Sequence, residues 1–335
     1  MQCIQEPTKQ YSDINALKQD LHDMDVTETP SFPLSRMQIT NQGTVQVTGL
    51  GEFQLSDIAL ADAIRRGGLQ VSSSQNFFVE GKPILDEVIV NAINTFYRHS
   101  RLANSEVKLV TRAGENSARV TLGIPSKMYG LFTHSNAVEK ILRNLSPNLK
   151  LKRANLYPQF LEISFTDPIK TVRDKVGEVV ELGESFYNSQ GSRTCALTAC
   201  AFSIRLVCLN GATAAHKLYS ARYIHKGDMQ NHNSRFAHDT AQIFERFSTM
   251  MKSLPRLGEI PVTEKLISQI RPVLIETLKS KDAESFIKGI DMQQHTAMDV
   301  WNKVTNLPHR IQNPAAKLRI EQLGFKILTM NLCYN

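Results

Sequence analysis

The residues with chemistry to offer gather between positions 178 and 236. Cys195, Cys200, Cys208, His216 and His225 are of zinc-ligating types. Their spacing matches no standard four-ligand pattern, and on a strand Cys195 and Cys200 would face opposite sides, so Cys200 and Cys208 read better as buried apolar thiols. Cys208 and His225 are the types of a nucleophile and its base, but no third orienting group or oxyanion signature accompanies them. Metal-assisted phosphodiester cleavage needs clustered carboxylates. Glu178, Glu181 and Glu184 form the only local group, and Glu181 and Glu184 have opposite parity on a strand, so they diverge. Phosphate loops of the GxGxxG or GxxxxGK[ST] kind are absent, as are HExxH and CxxC. These residues point to a non-enzyme with no catalytic residue, no metal site and no cofactor.

A different chemistry suits the segment His216–Phe236. It interleaves Tyr219, Tyr223 and Phe236 with Lys217, Arg222, His225, Lys226 and Arg235. Aromatic rings stack on bases while lysine and arginine hold phosphates. The alternative is a loop feeding the following helices, its tyrosines packed on the core.

Charge is distributed unevenly around this segment. Residues 1–62 carry nine acids against three bases, residues 100–155 ten bases against three acids, and residues 193–235 six bases against Asp228 alone. The chain has 335 residues and a formal net charge of +7. An acidic arm followed by a basic body suggests a polyanionic partner, with a solvated basic surface as the plainer account. Five cysteines at irregular spacing read as reduced thiols. The absence of a long apolar run or a secretory leader makes the expectation a cytoplasmic protein with no membrane contact.

The elements that must position these groups follow from periodicity. Residues 1–35 are polar and acidic, with Pro7, Pro30 and Pro33, and read as a mobile arm able to cover the basic body. Alternation over 37–55 predicts a hairpin. Ser56 caps the helix after it, and Gly67-Gly68 stops that helix. Residues 84–98 have helical spacing. The segments 107–112 and 118–123 form a hairpin that presents Lys108 or Arg112 together with Arg119 on one face. Ser135 opens a short helix, 160–165 is a strand, and 177–187 and 195–208 form a second hairpin. From about residue 235 the pattern is helical, with Thr263 as a cap and Pro272 as a kink. The expected architecture is α+β: a central antiparallel sheet with long β-hairpins packed by helices, followed by a helical C-terminal region. Its parts are an arm (1–35), a basic β-rich core (36–230) and the helical region (231–335).

Four short runs carry a family resemblance: Asn188-Ser-Gln-Gly191, Arg205-Leu-Val-Cys-Leu-Asn-Gly211, Arg222-Tyr-Ile-His225 and Trp301-Asn-Lys-Val-Thr305. Together they resemble the phage/plasmid-like proteins of unknown function (domain of unknown function 932), over about residues 45–330. Leu209 stands where that family typically has Thr, and Tyr223 and Ile224 separate its Arg-His pair. The resemblance implies a phage, prophage or plasmid setting and brings no settled activity. The order of elements also resembles the annealing fold of eukaryotic Rad recombination mediators and phage annealases. Asn210-Gly211 has its own account as a turn pair.

The expectation is an ATP-independent protein that binds and anneals single-stranded DNA, acting as a homo-oligomeric ring or filament in recombination or replication. Lys108, Arg112, Arg119, Lys152, Arg153, Arg205, Arg222 and Lys226 are the expected phosphate contacts. Tyr219, Tyr223 or Tyr187 would stack bases. The alternatives are a protein that binds a host defence component, and a metal-dependent nuclease.

Overall fold

The computed structural model describes residues 9–24, 26–69, 78–79, 82–83, 85–114, 118–157, 160–173, 179–191, 196–205, 211–213, 219–226, 233–278, 280–311 and 314–332. The chain opens with β1 (Lys9–Tyr11), α1 (Ile14–Asp23), β2 (Thr27–Glu28), β3 (Phe32–Pro33), β4 (Met37–Ile39), β5 (Thr44–Val47) and β6 (Gly51–Leu55). Then come α2 (Asp57–Arg66), β7 (Phe78–Val79), β8 (Lys82–Pro83), α3 (Glu87–His99), β9 (Glu106–Val107), β10 (Val110–Ala113), β11 (Arg119–Gly123) and α4 (His134–Asn144). The central strands are β12 (Lys150–Leu156), β13 (Leu161–Arg173), β14 (Val179–Asn188), β15 (Leu197–Arg205), β16 (Gly211–Thr213) and β17 (Ser220–Tyr223). Helices α5 (Asn233–Met251), α6 (Glu264–Thr277), α7 (Ser280–Lys288), α8 (Ala297–Asn306) and α9 (Pro314–Leu332) complete the chain.

This is the expected α+β architecture, with the strands divided between two main sheets. The larger runs β1-β12-β13-β14-β15-β16, with β17 also on β15. All its described pairings are antiparallel. The smaller runs β2-β10-β11-β6-β5-β4, and β11 lies parallel to β6. Each sheet has its own core. Phe32, Leu60, Ile93 and Tyr97 belong to the smaller one; Phe186, Phe247, Trp301 and Phe325 belong to the larger. The basic segment expected as one unit over 36–230 therefore holds two cores, and the C-terminal helices share the second of them.

Local signals account for most boundaries. The Ser56 hydroxyl accepts from the Ala59 N–H and starts α2, which ends at Gly67 and Gly68. Thr263 caps α6 in the same way, and Pro272 lies inside that helix. Helix α4 starts two residues earlier than expected, because Thr133 rather than Ser135 caps it. The acidic leader is built into the fold. Leu17, Leu21 and Phe32 are buried, while β1 and β2 extend the large and small sheets respectively.

The period of two sorts the large sheet into two faces. Ile163 pairs with Phe186, and Phe186 with Ala199, on the face where Phe236 of α5 lies against Phe186. The opposite face is polar although buried. There Ser164 pairs with Ser185 and Ser185 with Cys200, and the two serine hydroxyls are 2.7 Å apart. Helix α9 reaches this face through Glu321. No described helix is long and apolar enough to cross a membrane.

Candidate nucleic-acid interface

The structure separates the expected phosphate contacts into three sets. The first is held by the acidic leader. Lys108 Nζ is 2.8 Å from Glu28 and also donates to the Tyr129 carbonyl at 3.4 Å. Arg119 donates to Thr111 Oγ1 at 2.9 Å and to Thr27 Oγ1 at 2.6 Å. The second set belongs to internal ion pairs. Lys152 lies 3.3 Å from Glu181. Arg153 lies 2.7 Å from Glu162 and 3.7 Å from Glu321, with its guanidinium 5.2 Å from the centre of the Phe202 ring. Burial opposes the charge on Arg153, but the Glu162 and Glu321 carboxylates outweigh it and keep the guanidinium protonated. Its place is structural, since removing it would strand buried carboxylates. The third set, Arg112, Arg222 and Lys226, is exposed and has no carboxylate partner among the described residues. The Arg205 backbone pairs with Val180; its side chain lies outside the described residues, as do Cys195, Cys208, His216 and Glu178.

One expected grouping is corrected by register. Arg112 stands opposite Val120 and Arg119 opposite Ala113, so the two arginines project from opposite faces of the hairpin. They do not form one basic stripe.

The expected stacking residues are buried. Tyr219 lies edge-on to Phe325 and Phe247, at 5.4 and 6.3 Å between ring centres. Tyr223 donates to Asp239 at 2.6 Å and tilts against Phe236. Tyr187 is likewise enclosed. In this arrangement none of the three has an exposed ring to offer a base; each packs where the periodicity of a half-buried strand puts it.

The aromatic group that does face a cleft was not expected. The link between the two sheets, 124–133, brings Tyr129 onto His225, with ring centres 5.4 Å apart and planes 3° from parallel. The Tyr129 hydroxyl lies 3.4 Å from His225 Nδ1 and accepts the Gly191 N–H at 2.9 Å. Phe132 meets the edge of His225 at 6.3 Å. Asn188 donates to the Phe132 carbonyl at 3.2 Å and lies 3.1 Å from His134 Nδ1, while Gln190 accepts the His134 N–H at 2.8 Å. Two of the four runs singled out in the sequence, 188–191 and 222–225, thus converge on one polar cluster. The signal that could have found its remaining members was the run Met128-Tyr-Gly-Leu-Phe-Thr-His134, dense in aromatics between two sheets.

Glycines set how closely the sheets approach here. A Cβ on Gly123 would fall 1.5 Å from the Gly191 carbonyl oxygen, and Gly191 itself has φ +77° and packs on Val110. Burial pushes His225 down to about 4 and His134 down to about 3, the latter helped by His225 beside it. Both rings are neutral near pH 7, so they act as hydrogen-bonding groups and add nothing to the cation count. His225 Nε2 is buried with no partner among the described residues.

The cluster closes one side of a cavity of about 370 Å³ lined by Asp62, Met128, Tyr129, Gly191, Ile224, His225 and Lys226 among others. Lys108 touches its wall through the Tyr129 carbonyl, and Lys127, one residue from Met128, pairs with Glu106. A planar ring wall with an exposed lysine at its edge can hold an aromatic ligand that carries a negative charge. Cys200 is driven upward by burial and is a thiol rather than a nucleophilic thiolate. Among the described residues no three His, Cys, Asp or Glu are placed to hold a metal ion.

Residues 188–316 match the family model described as Domain of unknown function (DUF932). The match begins at Asn188, takes in the 222–225 and 301–305 runs, and stops within α9; it is narrower than the span expected from the sequence and leaves the smaller sheet outside it. No curated protein and no solved structure gives a significant match to the chain.

Proposed function

We propose that this chain, with its DUF932 region joined to a second, basic sheet lobe, binds single-stranded nucleic acid in the cleft between the two lobes. DNA is the favoured polymer, the action is cytoplasmic and independent of ATP, and annealing of complementary strands by a homo-oligomer is the activity. The observation that carries the reading is the meeting of exposed Lys226 and the Tyr129–His225 ring pair at one cleft, with Lys108, held by Glu28, behind the Tyr129 carbonyl. They come from the two stretches in which bases far outnumber acids. Exposed Arg222, on β17, extends the basic surface from Lys226. Single-strand binders combine such a cationic groove with aromatic walls and need no base-specific contacts.

Lys152, Arg153, Tyr219, Tyr223 and Tyr187 are not part of the proposed surface, because ion pairs or core packing occupy them. Lys108 and Arg119 join it only after Thr27 and Glu28 move away.

One observation favours a second reading. Glu28 already occupies Lys108, so an acidic protein segment is a chemically suitable occupant of the same surface. Fluorescence anisotropy with labelled single- and double-stranded DNA across a salt series, with annealing of complementary strands scored in parallel, separates the two. Salt-sensitive binding of the single strand supports the nucleic-acid reading; no binding of either strand form at low salt turns the case to a protein partner.

A further inference from the structure

The cavity behind the Tyr129–His225 pair is more specialised than a cationic groove requires. Asp62, from α2 of the smaller lobe, lines it and is nine-tenths buried. Asp62 Oδ2 is 3.7 Å from Arg66 Nε, one helical turn on. The other walls are Tyr129 and His225, with Met128 and Ile224 at 54% and 67% exposure and Lys226 beside them. A carboxylate in a phosphate-binding surface repels the backbone it should attract. Arg66 offsets part of that charge, but at 3.7 Å it lies beyond hydrogen-bond length, and a ligand with donors suits the carboxylate oxygens that line the cavity.

We infer that the cavity takes one unstacked guanine base, with Asp62 accepting from its Watson–Crick edge. Guanine presents two adjacent donors there, N1–H and the exocyclic N2–H₂, which match the two oxygens of a carboxylate. Adenine offers an acceptor at N1, and thymine places carbonyl oxygens on either side of its single ring N–H, so both would set lone pairs against the carboxylate. Tyr129, Met128 and Ile224 supply apolar and aromatic surface for the ring. His225 Nε2, unpaired among the described residues, offers one further hydrogen-bond position. Lys226 is placed for the attached phosphate. A volume of about 370 Å³ is enough for one nucleotide.

The base can arrive in a strand or as a free nucleotide, and the inference, which rests on the strand-binding reading above, assigns it to a strand. The test is anisotropy with labelled oligo(dT) of about 20 nucleotides against the same oligomer carrying one central guanine, with unlabelled GMP as competitor. Wild-type protein is expected to bind the guanine-containing strand about tenfold more tightly. Asp62→Asn should erase that preference by weakening the guanine strand, while oligo(dT) affinity holds or rises, because the lost charge repels the backbone. Tyr129→Leu serves as a second variant and should weaken the guanine strand more than oligo(dT). Equal affinity of wild-type protein for the two oligomers overturns the inference and leaves strand binding intact. No binding of either oligomer removes the strand reading and this inference together. Displacement of both oligomers by millimolar GMP with equal affinity would place a free nucleotide in the cavity and overturn the strand assignment.

Discussion

Gly123 and Gly191 lie so close that a methyl group on the first would sit 1.5 Å from the carbonyl oxygen of the second. They belong to different lobes: Gly123 ends β11, and Gly191 follows β14 in the larger sheet. The contact is backbone on backbone, so neither position has a flexible neighbour to yield. Substituting Gly123 by Ala should separate the lobes or displace the 188–191 loop, at a cost of about 3 kcal/mol or more. Gly191→Ala adds the left-handed backbone penalty of about 1–2 kcal/mol to a tight approach on Val110. Thermal unfolding followed by limited proteolysis of the 124–133 link checks both. Wild-type melting temperatures in both variants would show that the lobes are not held by this contact.

The two histidines at the same junction give the protein an acid-labile side. Their folded values, about 4 for His225 and about 3 for His134, lie below the ordinary histidine value of 6.5. The unfolded chain therefore binds more protons in the interval, and stability falls as pH drops from about 6.5 towards 4. For His225 alone the loss by pH 4 is on the order of 3 kcal/mol. Denaturant unfolding of wild type and His225→Gln at pH 7 and pH 4.5 should show a smaller acid loss in the variant. Parallel pH dependence in the two proteins would contradict the buried neutral ring.

Glu184 acts with the opposite sign. It is buried beneath α5's face of the large sheet, opposite Ala201 and Phe165, and burial pushes it up to about 8, against a smaller downward pull from Lys170. The folded state keeps this proton where the unfolded state has lost it, so stability falls as pH rises from about 4.5 to about 8. The slope is about 1.4 kcal/mol per pH unit across that window. Glu184→Gln should leave stability at pH 4.5 nearly unchanged and raise it at pH 8.5. A variant less stable than wild type at pH 8.5 would mean that the charge has a partner.

Much of this architecture was legible in the sequence, and the misses have identifiable causes. Caps and stops such as Ser56, Gly67 and Thr263 act through bonds within a few residues, so their chemistry is local and readable. The two hairpins followed from alternation. The face of Arg112 relative to Arg119 did not, because the register across the turn decides it, and a shift of one residue reverses a strand's faces. The tyrosines of 216–236 were misplaced because an amphipathic ring suits a core edge as well as a base. Tyr129, His134 and Asp62 carry no such mark in the sequence, because three separate elements bring them to the junction of the two sheets, and no spacing along the chain records that meeting. The leader's docking was hidden by its polar composition, which outweighs the few residues, Leu17, Leu21 and Phe32, that bury it.

That docking predicts a competition. Glu28 holds Lys108 at 2.8 Å, and Thr27 accepts from Arg119, on the strand that edges the smaller sheet. A phosphate backbone reaching those cations must displace them. Glu28→Gln should raise affinity for single-stranded DNA about two- to fivefold, while costing less than about 1 kcal/mol of stability, as expected for a partly exposed ion pair. Weaker binding by the variant would show that the leader helps to build the site.

The central claim is that cations from both lobes serve one polyanion, and its most direct test is the slope of log affinity against log salt for single-stranded DNA. Binding should weaken steeply with salt, and each phosphate contact removed should reduce the magnitude of the slope by about 0.7. Arg222→Ala with Lys226→Ala should flatten it by about 1.4 and leave the melting temperature unchanged, since neither side chain has a carboxylate partner among the described residues. Wild-type affinity that does not change with salt, or a double variant with the wild-type slope, would contradict the account.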